Sequence, residues 1–196
     1  LISEQIRSGQ AFLDQDFTIA NLQRARRTQP FPIVHLATHG EFRAGQPSNS
    51  YIELWGDRLP LDHIRDLKLY DPVVELLVLS ACRTALGDED AELGFAGLAV
   101  AAGAKTALGS LWYVSDQGTL ALMTAFYEQL TQAPIRAQAL RQAQLSLLRG
   151  ETRLAAGQLI TPTHQFPVDA ALARAEAADF SHPYYWSAFT MIGSPW

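Results

Sequence analysis

Residues 73–79, Val73-Val74-Glu75-Leu76-Leu77-Val78-Leu79, form a nearly continuous apolar run. Strands that are buried on both faces of a parallel sheet have this composition, so the run predicts a central strand. Ser80 and Ala81 follow it, and then comes Cys82, the single cysteine of the chain. The predicted central strand therefore leads to the one thiol in the molecule.

Three further stretches have the length and composition of strands. Ile33-Val34-His35-Leu36-Ala37 is short and apolar, and it ends in Thr38-His39-Gly40, which is typical of a buried strand that runs into a loop. Residues 105–112 are another apolar run, and residues 186–192 predict a last strand.

Segments whose apolar residues have helical spacing alternate with these strands. Residues 18–28 predict a short helix with Thr18 as N-cap, Ser115 and Asp116 open a long amphipathic helix, and Pro134 begins the next one. The predicted buried positions are Leu120, Met123, Phe126, Tyr127 and Leu130 in the first long helix, and Ala137, Leu140, Ala143, Leu147 and Leu148 in the second. Residues 150–181 lack a clear period, apart from an alanine-rich helical stretch at 168–178, and predict a surface insertion. Strands that alternate with helices indicate an α/β domain with a mostly parallel sheet.

Length, composition and charge exclude several classes of protein. The 196 residues predict one domain over 1–196, with a core that needs no disulfide or metal to support it. A net charge of −5 argues against nucleic acid as a partner. The longest nearly apolar run, residues 93–104, is too short to cross a bilayer. No secretion signal is visible and the lone cysteine fits a reducing compartment, so we predict a cytoplasmic protein. Because the chain begins without methionine, we expect it to be a piece of a longer protein.

His39 and Cys82 each follow a predicted buried strand. Active sites form at the carboxyl ends of strands in an open parallel sheet, so both side chains are candidates for one edge. A thiol attacks as its thiolate, and a neighbouring imidazole takes the thiol proton and later protonates the leaving amine. Ser80-Ala81-Cys82-Arg83 is near to, but not identical with, the caspase signature Gln-Ala-Cys.

Other interpretations of these residues stay open. A free cysteine at a strand end is most often a small buried hydrophobe, and a histidine there is often only hydrogen-bonded. Metal binding has less support, because His35 and His39 are four residues apart on a strand rather than on a helix, and no second cysteine is present. We expect neither a metal nor a cofactor.

The longer pattern resembles the CHAT domain family, caspase-like modules that often follow tetratricopeptide repeats in bacterial proteins. Ile33-Val34-His35-Leu36-Ala37-Thr38-His39-Gly40 is similar to the histidine motif of that family, and Leu79-Ser80-Ala81-Cys82-Arg83-Thr84-Ala85 is similar to its cysteine motif. Further matches are Gly103-Ala104, Ser110-Leu111-Trp112, Leu122-Met123, Phe126-Tyr127, Ala139-Leu140-Arg141, His182-Pro183-Tyr184-Tyr185-Trp186 and Ile192-Gly193.

The resemblance implies a caspase-like, mostly parallel sheet with helices on both faces, with His39 as general base and Cys82 as nucleophile. It also implies that the amides of Gly40 and Cys82 point at the developing oxyanion, although Gly40 has an equal interpretation as a turn glycine. A caspase-like sheet has a first strand upstream of anything visible here. We therefore expect an N-terminally truncated domain that lacks this strand and retains the second one around residues 11–13.

Substrate preference is a separate hypothesis. The segment 112–116 resembles the one that separases use beside their pocket for a basic residue, which implies a substrate-binding role for Asp116 with Trp112 and Ser110. Acidic residues between 88 and 92 would add to the field. The interpretation that we favour for Asp116 is simpler: Ser115 is a good N-cap, and a carboxylate suits the first helical turn. The acidic loop is otherwise an ordinary solvated loop.

Two further hypotheses concern four arginines. Arg83 stands where many relatives have an acidic residue, and it would favour the thiolate if it pointed inward. Arg24, Arg26 and Arg27 are the only basic cluster, either a processing site or, as we favour, a solvated helix face.

Together these features predict a cysteine endopeptidase of the caspase and separase type. Its partners would be a protein or peptide substrate and tetratricopeptide repeats in the same longer protein, which would regulate it. One alternative is a catalytically idle CHAT-like domain that binds proteins, in which the missing strand leaves a sheet edge for a partner. Another is an acyltransferase or hydrolase that uses the same dyad on small thioesters.

Overall fold

Strand β5 (Leu76–Leu79) is the central strand that residues 73–79 predicted, and all four of its residues are buried. It is seen in a computed structural model of the chain, which describes residues 1–42, 47–80, 83–84, 99–100, 102–169, 172 and 178–196. By internal contacts the described chain divides into two compact units. One contains residues 11–113 and 189–195, and the other contains residues 1–10, 114–188 and 196.

The first unit contains a mostly parallel sheet. Its strands are ordered β1 (Ile33–Leu36), β5, β7 (Thr106–Ser110) and β12 (Phe189–Gly193). β5 runs parallel to both β1 and β7, and β12 closes the row antiparallel to β7. Helix α1 (Ile19–Thr28) and a 3-10 helix, Leu61–Leu67, pack against the core of this unit. The predicted α/β fold with a mostly parallel sheet is confirmed.

A second, smaller sheet follows directly from β1. It is ordered β4 (Asp57–Pro60), β3 (Tyr51–Leu54), β2 (Gly40–Phe42) and β6 (Arg83–Thr84). β3 pairs antiparallel with β2 and β4, whereas β2 and β6 are parallel.

Alternation along β1 and β5 builds the core of this unit. Val34 and Leu36 of β1 share a buried cluster with Leu77 and Leu79 of β5. Side chains of successive strand residues point to opposite faces, so His35, Leu76 and Val78 lie on the other face. The cluster is completed by Ile52, Leu59, Leu61, Ile64, Leu67, Leu69, Val74, Ala99, Ala102, Ala104 and Ala107.

Helix α1 begins as predicted but does not present a wholly solvated basic face. Thr18 is the N-cap, and its hydroxyl oxygen accepts a hydrogen bond from the Asn21 amide at 3.2 Å. Arg26 is buried, and its guanidinium donates to the carbonyls of Leu67, Lys68 and Pro72. The interpretation as a solvated face was therefore wrong for Arg26, because three backbone carbonyls replace its water.

The second unit contains the two long helices, α2 (Asp116–Leu130) and α3 (Arg136–Leu148). Most predicted buried positions are buried or half-buried, but Ala137 and Leu148 are exposed. These two positions lie at opposite ends of α3. There the positions expected from helical spacing no longer fall on the face that the neighbouring helix α2 covers.

Residues 150–181 form more structure than their sequence predicted. They contain a four-stranded antiparallel sheet ordered β10 (Gln165–Pro167), β9 (Gln158–Ile160), β8 (Arg153–Ala155) and β11 (Ala178–Asp179). Most of the helical stretch expected at 168–178 lies outside the described residues.

The strand expected at residues 11–13 is absent. These residues are described and are not in a strand, and Leu13 is 72% exposed. Asp14 next to it has a φ of 48° and begins a 3-10 helix, Asp14–Asp16. A left-handed backbone at this point ends any extended run, so that prediction was wrong.

Candidate active site

His39 occupies the short turn between β1 and β2, and it is exposed. Two hydrogen bonds to Glu53 of β3 hold this turn. The Thr38 hydroxyl donates to the Glu53 carbonyl at 2.7 Å, and the Glu53 amide donates to the His39 carbonyl at 2.8 Å. Because the turn is anchored through the Thr38 side chain and the His39 carbonyl, it presents an accessible imidazole from a fixed position.

The chain segments that carry His39 and Cys82 pair with each other on both sides of these residues. The β1–β5 register pairs Leu36 with Leu79, and the β2–β6 register pairs Glu41 with Arg83. His39 lies three residues after Leu36, and Cys82 lies three residues after Leu79. Cys82 itself, with Ala81, lies outside the described residues.

Gly40 is the first residue of β2 and stands opposite Ile52 of β3. The hydrogen bond at this level joins the Glu53 amide to the His39 carbonyl, so Gly40 and Ile52 form a non-hydrogen-bonded pair. In such a pair the amides point away from the partner strand. The Gly40 amide therefore points away from β3, towards the side of β2 on which β6 lies.

A second imidazole lies on the face of the parallel sheet opposite the core cluster. His35 Nε2 lies 2.7 Å from Ser80 Oγ, and the Ser80 amide donates to the Leu36 carbonyl at 3.3 Å. His35 pairs with Val78 in the register, and Ser80 is two residues beyond Val78 on the same face. Desolvation lowers the pKa of His35 to about 4, so its ring is neutral at pH 7.

From the sequence, His35 was considered only as a candidate metal ligand, and its contact with Ser80 was not predicted. The signal for it was available. Val34 and Leu36 alternate with His35, which predicts a side chain turned away from their core face, and Ser80 falls on that same face of the next strand.

The proposed substrate-binding residues are divided between the two units. Ser110 ends β7 opposite Phe189 and is buried, and Trp112 two residues later is half-buried. Asp116 belongs to the other unit, where it is the first residue of α2 and exposed. The Ser115 hydroxyl oxygen accepts a hydrogen bond from the Gly118 amide at 3.1 Å, so the N-cap that we predicted at Ser115 is present.

Other elements of the hypothesis lie beyond the described residues. These are the acidic residues at 88–92 and the side chain of Arg83. In the described part of the chain, no group of three or more His, Cys, Asp and Glu side chains could hold a metal ion. The same residues include no helix with the length and hydropathy needed to cross a membrane.

The fold and this geometry define an α/β protein in which an exposed histidine follows one strand of a parallel sheet and a cysteine-bearing segment follows the neighbouring strand. A family model described as the CHAT domain matches residues 1–194. The chain therefore belongs to the CHAT domain family, a caspase-like family related to peptidases. None of the curated proteins matches the chain.

Proposed function

We propose that this chain is a cysteine endopeptidase domain of the caspase and separase type, with His39 as general base and Cys82 as nucleophile. The observation that carries the proposal is the pairing of Leu36 with Leu79 and of Glu41 with Arg83. The described residues that flank His39 are thus paired with the described residues that flank Cys82. Membership of a peptidase-related family supports the same reaction class.

The proposed reaction has two stages. His39 takes the proton of the Cys82 thiol, and the thiolate sulfur attacks the carbonyl carbon of a peptide bond. The carbon–nitrogen bond then breaks, the amine leaves with the proton from His39, and a thioester remains on Cys82. Water, deprotonated by His39, attacks the thioester and the carbon–sulfur bond breaks, which releases the acid and restores the thiolate.

The amides of Gly40 and Cys82 would stabilise the negative oxygen that develops in both stages. Donors that are already oriented act without reorganisation at the moment of reaction. Gly40 suits this role because its amide points away from β3. The absence of a side chain at Gly40 also lets the substrate backbone approach closely.

The proposed function includes a preference for basic substrates and regulation by other modules. Asp116 would bind a basic residue before the cut, and Trp112 and Ser110 are proposed as further substrate-binding residues. The negative charge of the acidic residues at 88–92 would add to the attraction. Upstream or partner modules such as tetratricopeptide repeats, in a bacterial cytoplasmic protein, would regulate access.

Covalent labelling of Cys82 tests the proposal. We expect a peptidyl electrophile with Arg before the reactive group to add once to the 21.6 kDa chain, as read by intact mass. The His39→Ala variant should label about 100-fold more slowly, because general-base assistance is lost. His63→Ala is the matched control, since His63 is an exposed imidazole paired with Asp66.

The results distinguish the peptidase mechanism from the proposed role of Asp116. Labelling that depends on His39 but not on Arg, judged against an Asp-containing probe, keeps the peptidase and removes the role of Asp116. Peptide cleavage should vanish in Cys82→Ala while the thermal midpoint stays nearly unchanged. Undiminished cleavage by that variant contradicts the mechanism.

A catalytically idle protein-binding domain is the second candidate. The observation in its favour is that β1 forms one end of the parallel sheet among the described strands. Sheet edges can accept a strand from a partner. A Cys82 thiol with the reactivity and pH dependence of a free cysteine, unchanged in His39→Ala, would select this candidate.

A further inference from the structure

We propose that His35 and Ser80 form a positioning pair that holds the segment leading to Cys82. The pair thereby sets the distance between the Cys82 thiol and His39. The inference rests on the proposed function. It assigns to His35 a role that acts through Ser80 rather than on the substrate.

Two contacts from neighbouring residues of β1 hold Ser80. The amide of Ser80 donates to the Leu36 carbonyl at 3.3 Å, and its hydroxyl lies 2.7 Å from His35 Nε2. Ser80 is the last described residue before Ala81 and Cys82. Its backbone and its side chain are therefore both fixed just before the nucleophile.

Strand β1 thereby positions both halves of the dyad. Beyond its carboxyl end it continues to His39, whose backbone is anchored to Glu53. Through His35 and Leu36 it also holds Ser80. A displacement of about 1 Å between reacting groups costs as much as 100-fold in rate. Because β1 supports both groups, a contact that holds the Cys82 segment to β1 affects the rate of the reaction.

The chemistry of His35 suits a fixed contact. Its ring is neutral over the working range, because desolvation keeps the pKa of His35 far below its ordinary value. The hydrogen bond to Ser80 therefore does not change with the protonation steps of His39. An imidazole has only two rotatable side-chain bonds, so little freedom is lost in holding the hydroxyl.

The test is the alkylation rate of Cys82 by iodoacetamide as a function of pH, read by intact mass. Cys82 is the only cysteine, so each added mass reports on it alone. The variants are His35→Phe, which keeps a ring without nitrogen, His35→Gln, which restores a polar atom near Nε2, and Ser80→Ala. His63→Phe and Ser8→Ala are matched controls at exposed positions.

We expect wild type to be alkylated faster at pH 6.5 than an ordinary cysteine, and His39→Ala to return towards the ordinary rate. At pH 6.5, His35→Phe and Ser80→Ala should each react about fivefold to tenfold more slowly than wild type, and the double variant no more slowly than either. His35→Gln should recover to within about twofold of wild type, with both controls unchanged. Peptide turnover should lose kcat with little change in KM.

Thermal unfolding of the same variants separates positioning from general stability. Slower alkylation in Ser80→Ala with an unchanged midpoint supports positioning, and this variant decides the matter if His35→Phe does not fold. A lowered midpoint with unchanged alkylation of the folded protein overturns the inference.

Dependence on His39 without dependence on His35 or Ser80 also overturns the inference, while the proposed function survives. An ordinary thiol profile in wild type that is unchanged by His39→Ala overturns both.

Discussion

At the scale of single residues, His35 makes the stability of the protein depend on pH. Desolvation lowers its pKa from an ordinary 6.5 to about 4 in the folded chain. Between these values the unfolded chain binds more protons, so acid favours unfolding and stability rises with pH. The contribution is complete above about pH 6.5 and declines as the pH falls towards 4. We expect this group to cost about 1–2 kcal/mol of unfolding free energy between pH 7 and pH 5.

Urea unfolding at pH 7, 6 and 5 measures this effect. His35→Gln should show a smaller fall in stability over that range than wild type, because it has no imidazole to protonate. His63→Gln, at an exposed position, should fall as wild type does. Equal falls in wild type and His35→Gln would contradict the assignment.

At the scale of elements, a glycine fixes the approach to β7. Gly103 has a φ of 105°, and a Cβ built on it would lie 2.5 Å from Tyr70 Cβ and 2.8 Å from the Tyr70 amide nitrogen. Gly150 is the matched control, since it has a φ of 66° with nothing within 4 Å of the added atom. We expect Gly150→Ala to lose about 1 kcal/mol from backbone strain alone, and Gly103→Ala to lose about 3 kcal/mol or more.

Chemical denaturation of the two variants tests this comparison. Both variants carry the same new methyl group at a positive φ, but only at Gly103 does it meet Tyr70. The φ of 105° there also lies outside the left-handed region that Gly150 occupies, so the excess loss reports the collision together with the added backbone strain. Similar losses would show that the chain around Tyr70 moves aside at little cost.

The parts of the fold that could be predicted from sequence are those in which a local pattern of residues determines the secondary structure. The run at 73–79 predicted β5 because a strand covered on both faces requires continuous apolar residues. Thr18 and Ser115 predicted two helix starts because capping is local chemistry. The sheet at 153–179 was missed, since strands of two or three residues are too short to show a period.

Long-range contacts explain the rest. The burial of Arg26 depends on carbonyls about 40 residues away along the chain, which no local pattern indicates. His39 could be placed at a strand end from sequence, but its anchoring by Glu53 depends on how β3 pairs with β2. The His35–Ser80 contact was within reach of alternation arguments once the order of β1 and β5 was assumed.

At the scale of the whole molecule, the charge of −5 should attract cationic substrates independently of any subsite. The Debye length falls from about 20 Å to about 6 Å as salt rises from about 20 mM to about 300 mM, so attraction to the overall charge is largely lost over that range. We expect labelling of Cys82 by the Arg probe to slow about twofold to fivefold across it. A probe with Gln in place of Arg should change by less than about 1.2-fold.

Two variants separate this global attraction from a specific contact. Asp116→Asn and Asp62→Asn remove the same charge from two exposed positions in the two different units. If Asp116 binds the basic side chain directly, its variant should slow Arg labelling about tenfold at high salt, where Asp62→Asn has no effect. Equal and small effects of the two variants, which vanish together in salt, would mean that the preference for basic substrates comes from net charge alone. In that case Asp116 acts only in the first turn of α2.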